Sequence, residues 1–341
     1  MNDVKKRNDH VDIIRGIAIL MVVLGHTMST TAQGYADNWL YNIIWSLQMP
    51  LFFVISGYVT RYGKNPSTFK KFIQYLLKKA GMYMLPWAIW TFFVRALLMR
   101  ETKFLDIKYL LFNMDSGYWF LVSLFVICII YLVSNFVAQK LTKKKVSHNI
   151  LLVALFAILT VALAAIGLLV GINFLGIKLT LYYIPFFLAG WFYGQIQEKI
   201  LRSKGWSTAL DMVVAISAAA YFFFIFNVNV FGLDDGIKDI VIRAVISSVG
   251  CVAVCGLIAK FPVGENKICG SLLFFGKHSL EIYLVHYIFL AIVKFDGVSS
   301  IGTLLGTVTV IFAYLCIIAL SCLTVYLLNN NRFLKKILFW K

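Results

Sequence analysis

Long apolar stretches alternate with short polar connections along the whole of this 341-residue chain. A helix needs about 20 mostly apolar residues to cross the ~30 Å hydrocarbon core of a bilayer. The strands of a transmembrane barrel would instead show about ten residues of alternating polarity, which the stretch 150–171 does not show. The pattern predicts ten membrane-spanning helices, at 11–29, 39–60, 80–98, 117–137, 150–171, 180–194, 209–227, 240–259, 271–293 and 302–327.

The predicted fold is therefore an all-α, polytopic transmembrane helical bundle that forms one domain over residues 1–341. The composition supports this class, because 61% of the residues are hydrophobic and only 14% are charged. A soluble globular domain has roughly 45–50% apolar and about 25% charged residues. The six cysteines contain no C-x-x-C pair, which excludes a small disulfide scaffold and an ordinary zinc ribbon.

Lys and Arg residues are distributed unevenly over the connections between these spans. The terminal segments and the connections on their side contain 22 of them, whereas the opposite connections contain 6. Cytoplasmic loops of membrane proteins carry an excess of Lys and Arg, so both termini are predicted to be cytoplasmic. The net charge of +17 then reflects topology and contact with lipid headgroups, and no nucleic-acid partner is expected.

The first predicted helix contains three ionisable residues, Asp12, Arg15 and His26. His26 follows Arg15 by eleven positions along the chain, which places both side chains on one helix face about 16 Å apart along the axis. Asp12 precedes Arg15 by three positions and is close enough to pair with it. Ionisable groups inside a bilayer are costly and mark candidate functional sites. The alternative is that Asp12 and Arg15 reach the cytoplasmic interface and His26 simply lies near the outer one.

The ninth predicted span carries three further candidates, Glu281, Tyr283 and His286. Tyr283 and His286 are three positions apart, so they share a helix face. A carboxyl group inside the membrane must be paired or protonated. Glu281 is therefore either a functional group or the structural partner of Arg95 or Arg243.

The second span and the connection after it contain another set of candidates. Ser56 precedes Gly57, and such small residues allow close helix packing. The connection 61–79 is strongly basic and ends in Lys78 and Lys79. We interpret it as a loop whose lysines contact either anionic lipid headgroups or the phosphates of a cytoplasmic donor substrate.

Five motifs follow one another along the chain. They are DIIRGIAILMVVLGH at 12–26, MPLFFVISGY at 49–58, YWFL at 118–121, PFFLAG at 185–190 and GKHSLEIYLVH at 276–286. In this order they resemble the membrane-bound acyltransferase family 3, and most closely its polysaccharide O-acetyltransferases of the fucose 4-O-acetylase type. The hallmark of that family is an arginine and a histidine with ten residues between them, as in Arg15 and His26.

The resemblance implies transfer of an acyl group, usually acetyl, from cytoplasmic acyl-coenzyme A to a hydroxyl of a cell-surface or lipid-linked glycan in the bacterial plasma membrane. Acyl-coenzyme A is then a donor substrate, and no bound cofactor or metal is implied. His26 would act as general base or carry a covalent acyl group, Arg15 would bind donor phosphate, and Asp12 would orient Arg15. The implied substrate-binding residues are Ser56, Lys78, Lys79, Trp119, Glu281, Tyr283 and His286.

Two positions depart from the family pattern. Gln48 precedes the Met-Pro of the second motif, where this branch often has histidine, so the chain lacks any chemistry tied to an imidazole there. Lys78 and Lys79 stand where the family commonly has arginines. Lysine can still contact phosphate, but it lacks the bidentate geometry of a guanidinium.

Two other function classes are compatible with the sequence. A transporter or flippase for a glycan or small polar solute also fits ten helices with buried Arg, Glu and His. A binding or regulatory membrane protein that retains this fold is the third hypothesis, and the pair Arg15 and His26 favours an enzyme over it. The partners expected for the enzyme are acyl-coenzyme A, a glycan acceptor and membrane lipids.

The charge distribution makes a testable prediction about topology. We expect a cysteine introduced at Gln33 to react with a membrane-impermeant thiol reagent added to intact cells, because the connection 30–38 contains no Lys or Arg and is predicted to face outward. A cysteine at Thr142 should react only after the cells are opened. Both are placed in a parent protein whose six native cysteines are replaced by alanine, and the opposite labelling pattern would invert the topology.

Overall fold

The computed structural model describes residues 8–63, 66–264, 266–293 and 299–340. Its helices are α1 (Asp9–Thr31), α2 (Trp39–Val59), α3 (Phe69–Ala88), α4 (Ile107–Phe112), α5 (Trp119–Leu141), α6 (Lys145–Val170), α7 (Ile177–Arg202), α8 (Lys204–Asn227), α9 (Ile237–Lys260), α10 (Lys267–Lys277), α11 (Ser279–Ile292), α12 (Leu304–Asn330) and α13 (Arg332–Phe339). α3 continues as a π-helix over Ile89–Leu98, and 3-10 turns occur at Tyr35–Asp37, Thr60–Tyr62, Thr102–Leu105, Met114–Ser116 and Phe174–Gly176. Two-residue strands, β1 (Ala32–Gln33) and β2 (Ser299–Ser300), pair in parallel.

Nine helices of the described part of the chain are long and apolar enough to cross a membrane. The bent pair α10 and α11 makes a tenth when it is counted as one span. The prediction of an all-α polytopic bundle is thus confirmed, and the ten predicted stretches fall mainly on these helices. Helices suit this environment because lipid offers no hydrogen-bond partners, so each backbone group must be paired within the protein.

The third span begins earlier than its apolar stretch indicates. α3 starts at Phe69, and the side chain of Thr68 caps it by accepting a hydrogen bond from the Lys71 N–H at 3.3 Å. Lys78 and Lys79 therefore lie on a helix, and the interpretation of 61–79 as a loop is wrong for its second half. Lys, Leu and Gln are good helix formers, so the helix continues through residues too polar to count as part of a span.

Other helices also extend beyond their apolar stretches. α6 begins at Lys145, five residues before the predicted start of the fifth span. α7 runs for 26 residues, so the sixth span, predicted as the short stretch 180–194, is a full-length helix. In both cases polar residues at the helix end lower the local hydropathy without interrupting the helix.

The ninth predicted span, 271–293, is not one continuous helix. α10 and α11 meet at His278 with an angle of 81° between them. The N–H of His278 closes the last turn of α10 by bonding to the Phe274 carbonyl, and its ψ of 15° then turns the chain away. Glu281 lies in the first turn of α11, where the helix dipole stabilises a carboxylate. The polar segment from Gly276 to Glu281 therefore ends one helix and begins the next.

The helices form two compact units. The first comprises the described residues up to Arg61 together with Phe186–Leu327, and the second comprises Tyr62–Pro185 together with the residues from Leu328 onward. The first unit thus contains α1, α2, α8 to α11 and most of α12, and the second contains α3 to α6 and α13. α7 contributes its residues up to Pro185 to the second unit and the remainder to the first.

In the first unit, buried polar groups lie on the enclosed helices. α1 and α2 are mostly buried, whereas α8 exposes most of its apolar residues, as suits contact with lipid chains. The buried amide of Asn42 on α2 donates to the carbonyls of Ile225 and Val228 and accepts from the N–H of Val230. These are backbone groups at and beyond the C-terminal end of α8, where no helical partner is available.

Two glycines bring α2 and α7 into backbone contact in the first unit. A Cβ at Gly57 would overlap the carbonyl oxygen of Phe187, and a Cβ at Gly190 would overlap that of Val54. Small residues permit such close approach between membrane helices. The motifs MPLFFVISGY and PFFLAG therefore meet through these glycines, which is the packing role that the small pair at Ser56 indicates.

In the second unit, the short helix α13 packs against α3 and its π-helical extension. The indole N–H of Trp90 donates to the carbonyl of Leu338 at 3.1 Å, and the Trp90 ring stacks on that of Phe339 with centroids 6.0 Å apart. Gly81 leaves room for the indole of Trp340, which a Cβ there would overlap. These contacts fix the middle of the third span against the C-terminal segment.

The glycine contacts can be tested by adding single methyl groups. We expect Gly57→Ala and Gly190→Ala each to lower the free energy of unfolding of the detergent-purified protein by about 1–3 kcal/mol, because the methyl group meets backbone atoms that cannot rotate away. Gly205→Ala is the matched control, since nothing lies within 4 Å of a Cβ at this position of α8. Equal thermal unfolding midpoints for all three variants would exclude the close approach of α2 and α7.

Candidate active site

The first end of the candidate site is formed by Asp12 and Arg15 on α1. The Asp12 carboxylate is buried, and its Oδ1 lies 3.4 Å from Nη1 of Arg15. The Arg15 side chain remains 28% exposed. The buried carboxylate therefore compensates and orients the guanidinium, while the exposed part of the guanidinium remains accessible to a ligand.

This end of α1 is held by backbone contact with α10. A Cβ at Gly16 would overlap the carbonyl oxygen of Leu272, and a Cβ at Gly276 would overlap that of Asp12. Asp12 therefore lies against the chain two residues before the bend at His278. The close approach sets the position of the bend relative to the charged turn of α1.

Glu281 is buried just after the bend. One of its carboxylate oxygens lies 3.5 Å from Nδ1 of His278, and its side chain is 1% exposed. The two arginines considered as its partners make other contacts. Arg95 donates two hydrogen bonds to Glu101, at 3.0 and 2.8 Å, and Arg243 donates to a backbone carbonyl in the loop before α9. The contact seen for Glu281 is thus local to the bend.

His26, at the other end of the site, meets consecutive residues of α11. Its Nε2 lies 3.1 Å from the hydroxyl oxygen of Tyr287, which is hydrogen-bond distance. The centroid of the His286 ring lies 5.5 Å from that of His26 and 4.3 Å from that of Tyr287. Tyr283, one turn earlier, has its ring 6.0 Å from that of His286. The structure thus brings together His26, Tyr283 and His286, which the sequence proposes from separate motifs.

The ring of His286 is completely buried and fixed by the backbone. Its Nδ1 lies 3.1 Å from the carbonyl oxygen of Ile282. Because a carbonyl oxygen only accepts hydrogen bonds, we infer that Nδ1 carries the hydrogen and that Nε2 bears the lone pair of the neutral ring. His286 is therefore a rigid neighbour of His26 with a defined tautomer.

Gln48 on α2 lies beside the turn of α1 that contains His26. Its side chain is 6% exposed, and its Oε1 makes no hydrogen bond within the described residues. This oxygen would lie 3.2 Å from a Cβ at Gly25. An unpaired buried acceptor costs free energy, so the Oε1 of Gln48 is a candidate acceptor for a group bound beside this turn of α1.

Four further residues were predicted to bind substrate. The hydroxyl of Ser56 donates to the carbonyl of Phe52 within α2 at 2.7 Å. Lys78, Lys79 and Trp119 belong to the second unit. Lys78 is exposed on α3 and remains accessible to a ligand.

Lys79 and Trp119 have structural contacts within that second unit. The Lys79 ammonium lies 5.7 and 5.5 Å from the ring centroids of Tyr75 and Tyr83, one turn before and one turn after it. These are cation–π distances. The Trp119 ring stacks on that of Tyr183 with centroids 5.3 Å apart.

The sequence does not point to Tyr287 as a site residue, for a physical reason. Consecutive residues on a helix do not face each other, so the periodicity of α11 gives no reason to group Tyr287 with His286. Both rings reach His26 because α1 crosses α11 at this turn, which only the packing of the helices reveals. For Gln48, by contrast, the sequence does give a signal, because Gln48 is a polar residue inside an apolar span.

Comparison with protein families identifies an acyltransferase domain that matches residues 8–328. Neither the comparison with curated proteins nor that with solved structures gave a match. The matched range contains all ten spans and both ends of the candidate site, and it favours the acyltransferase over the transporter hypothesis. The chain therefore belongs to acyltransferase family 3 and is a multi-pass membrane acyltransferase.

Proposed function

We propose that this protein transfers an acetyl group from cytoplasmic acetyl-coenzyme A to a hydroxyl of a cell-surface or lipid-linked glycan, as do acyltransferases of the fucose 4-O-acetylase type. The proposed location is the bacterial plasma membrane, with both termini in the cytoplasm. The observation that carries the proposal is the arrangement on α1, where a partly exposed Arg15 and the clustered His26 lie about 16 Å apart along one enclosed helix.

The Arg15 end is suited to the phosphates of the donor. A guanidinium binds phosphate through paired hydrogen bonds, and Asp12 at 3.4 Å holds it in place. Within the second unit, Lys78 is exposed on α3 and is the better candidate of the lysine pair for binding a phosphate, because the Lys79 ammonium lies over two tyrosine rings. On the proposed topology, all of these groups lie toward the cytoplasm.

The His26 end is suited to the acyl transfer itself. The flexible arm of the donor would run from Arg15 toward His26 and bring its thioester there. His26 then takes the proton of the acceptor hydroxyl as the hydroxyl oxygen attacks the thioester carbon. A C–O bond forms, the C–S bond breaks, and the proton passes to the departing thiolate. Transfer through an acyl-histidine is the alternative route, and both routes require the same imidazole.

The proposed reaction can be tested with the detergent-purified protein, acetyl-coenzyme A and the glycan fraction of cells that lack the protein. We expect free coenzyme A to appear together with a glycan product heavier by one acetyl group, detected by mass spectrometry. The same mass should be missing from the surface glycans of those cells. Consumption of acetyl-coenzyme A without any acetylated glycan would contradict the proposed acceptor.

The first kinetic prediction concerns His26. We expect His26→Gln to lower kcat by about 10²–10⁴-fold, the usual contribution of a general base, while the thermal unfolding midpoint stays at the wild-type value. His148→Gln is the matched control, because this histidine of α6 also bonds to a side chain, the amide of Asn135 at 3.2 Å. Wild-type kcat in a well-folded His26→Gln variant would remove His26 from the mechanism.

The second kinetic prediction separates Arg15 from His26. We expect Arg15→Lys to raise the KM for the donor by roughly ten- to a hundredfold with little change in kcat, because lysine keeps the charge but loses one charge-assisted hydrogen bond to phosphate. Initial rates against acetyl-coenzyme A concentration, at saturating glycan, measure this. Arg243→Lys, which removes a guanidinium bound to a backbone carbonyl, should leave the donor KM unchanged. A lower kcat at unchanged donor KM would place Arg15 in the transition state or in packing.

A further inference from the structure

Tyr287 contacts His26 directly, yet it lies outside every motif of the sequence. Its hydroxyl oxygen is 3.1 Å from Nε2 of His26. The two ring centroids are 5.1 Å apart and the rings are tilted by 50°, so the rings do not stack flat on each other. The contact between α11 and α1 at this point is therefore a hydrogen bond as well as a packing contact.

The position of this hydroxyl matters because an imidazole nitrogen has one in-plane site, filled either by a hydrogen or by a lone pair. A general base must present its lone pair within about 3 Å of the hydroxyl that it deprotonates. Tyr287 already places a hydroxyl at that site on Nε2 of His26. It therefore makes the same contact that an acceptor hydroxyl would make.

The Tyr287 ring is itself held by neighbouring rings of α11. The ring of His286 lies 4.3 Å away, centroid to centroid, and the ring of Tyr283 meets it edge-on at 6.3 Å with an angle of 82°. The hydrogen bond from His286 to the Ile282 carbonyl fixes one of these neighbours in turn. The neighbouring rings thus hold the Tyr287 ring in place, so its hydroxyl keeps a fixed position relative to Nε2 of His26.

Resting on the proposed role of His26 as general base, we propose that Tyr287 is a positioning residue for acyl transfer. Its hydroxyl donates to Nε2 of His26, which places the ring hydrogen on Nδ1 and leaves Nε2 as the basic atom. The acceptor hydroxyl then replaces the Tyr287 hydroxyl at Nε2. Nε2 takes the acceptor proton as the C–O bond to the acyl carbon forms and the C–S bond breaks, and it returns this proton to the thiolate.

The hydrogen bond can be tested without any turnover. Diethyl pyrocarbonate modifies imidazole through a ring lone pair, and mass spectrometry of the peptide that contains His26 gives the rate for this residue in the full-length protein. We expect Tyr287→Phe to raise that rate by roughly two- to tenfold, the effect of releasing one neutral hydrogen bond. Tyr314→Phe is the matched control and should leave the modification rate of His26 unchanged. The Tyr314 hydroxyl lies 3.4 Å from the carbonyl oxygen of Leu20, which is on α1 like His26.

A second variant keeps the side chain whole. Replacement of Tyr287 by 3-fluorotyrosine makes the phenol a stronger hydrogen-bond donor with almost no change in size, so it should slow the modification of His26 below the wild-type rate. Opposite shifts in the two variants support the donated hydrogen bond. An unchanged rate in the fluorotyrosine protein, or in a folded Tyr287→Phe protein, would overturn it.

Steady-state kinetics then test whether the bond serves transfer. We expect Tyr287→Phe to lower kcat by roughly two- to tenfold with an unchanged KM for the donor, because the donor phosphates bind at the Arg15 end. Wild-type kcat together with faster modification of His26 would overturn the positioning role. Full activity of His26→Gln would instead overturn the proposed role of His26 in the function. In that case the modification rates of His26 would still report its contact with Tyr287. The two failures are therefore distinguishable.

Discussion

The backbone contact between α1 and α10 is the constraint on which the rest of the first unit depends. Gly16 and Gly276 let the two helices approach so closely that a Cβ on either glycine would overlap a backbone carbonyl of the other helix. Two residues after Gly276, the chain bends by 81° at His278 and continues as α11, which returns to α1 beside His26. Both ends of the candidate site are therefore contacted by the two halves of one broken helix, and the rigid α1 sets the distance between them.

The distribution of polar groups follows from the cost of placing them in lipid. α8 exposes most of its residues and is apolar from Met212 to Phe226 apart from Ser217, whereas the enclosed α1 and α2 carry buried polar side chains such as Asp12, Asn42 and Gln48. The buried carboxylate of Asp12, for example, has the compensating guanidinium of Arg15 at 3.4 Å. The interior thus provides a place where ionisable groups can be held in fixed positions at tolerable cost.

The spans and the shared face of Arg15 and His26 follow from the sequence because both depend on the regular period of one helix. The start of α3 does not, because Thr68 and the lysines that follow it are too polar to signal a span while being good helix formers. The bend at His278 was missed for the opposite reason, since the apolar residues on either side of Lys277, His278 and Glu281 are together long enough for one span. Tyr287 meets His26 through a contact between two helices, which the periodicity of either helix alone does not predict. What the sequence predicts well is therefore each helix by itself, and what it misses is how a helix ends and which side chains of two helices meet.

The paired glycines have a consequence for how these contacts are inherited. At Gly57 and Gly190, and again at Gly276, an added Cβ would collide with a carbonyl of the opposite helix. Contacts between two side chains can be preserved by compensating changes, so that positions in contact vary together. A carbonyl is the same in every residue, and no change at Phe187 or Val54 can make room for a larger residue opposite. Each of these glycines must therefore be kept whatever residue lies opposite it. These closest helix contacts in the first unit are then expected to give no pairs of positions that vary together.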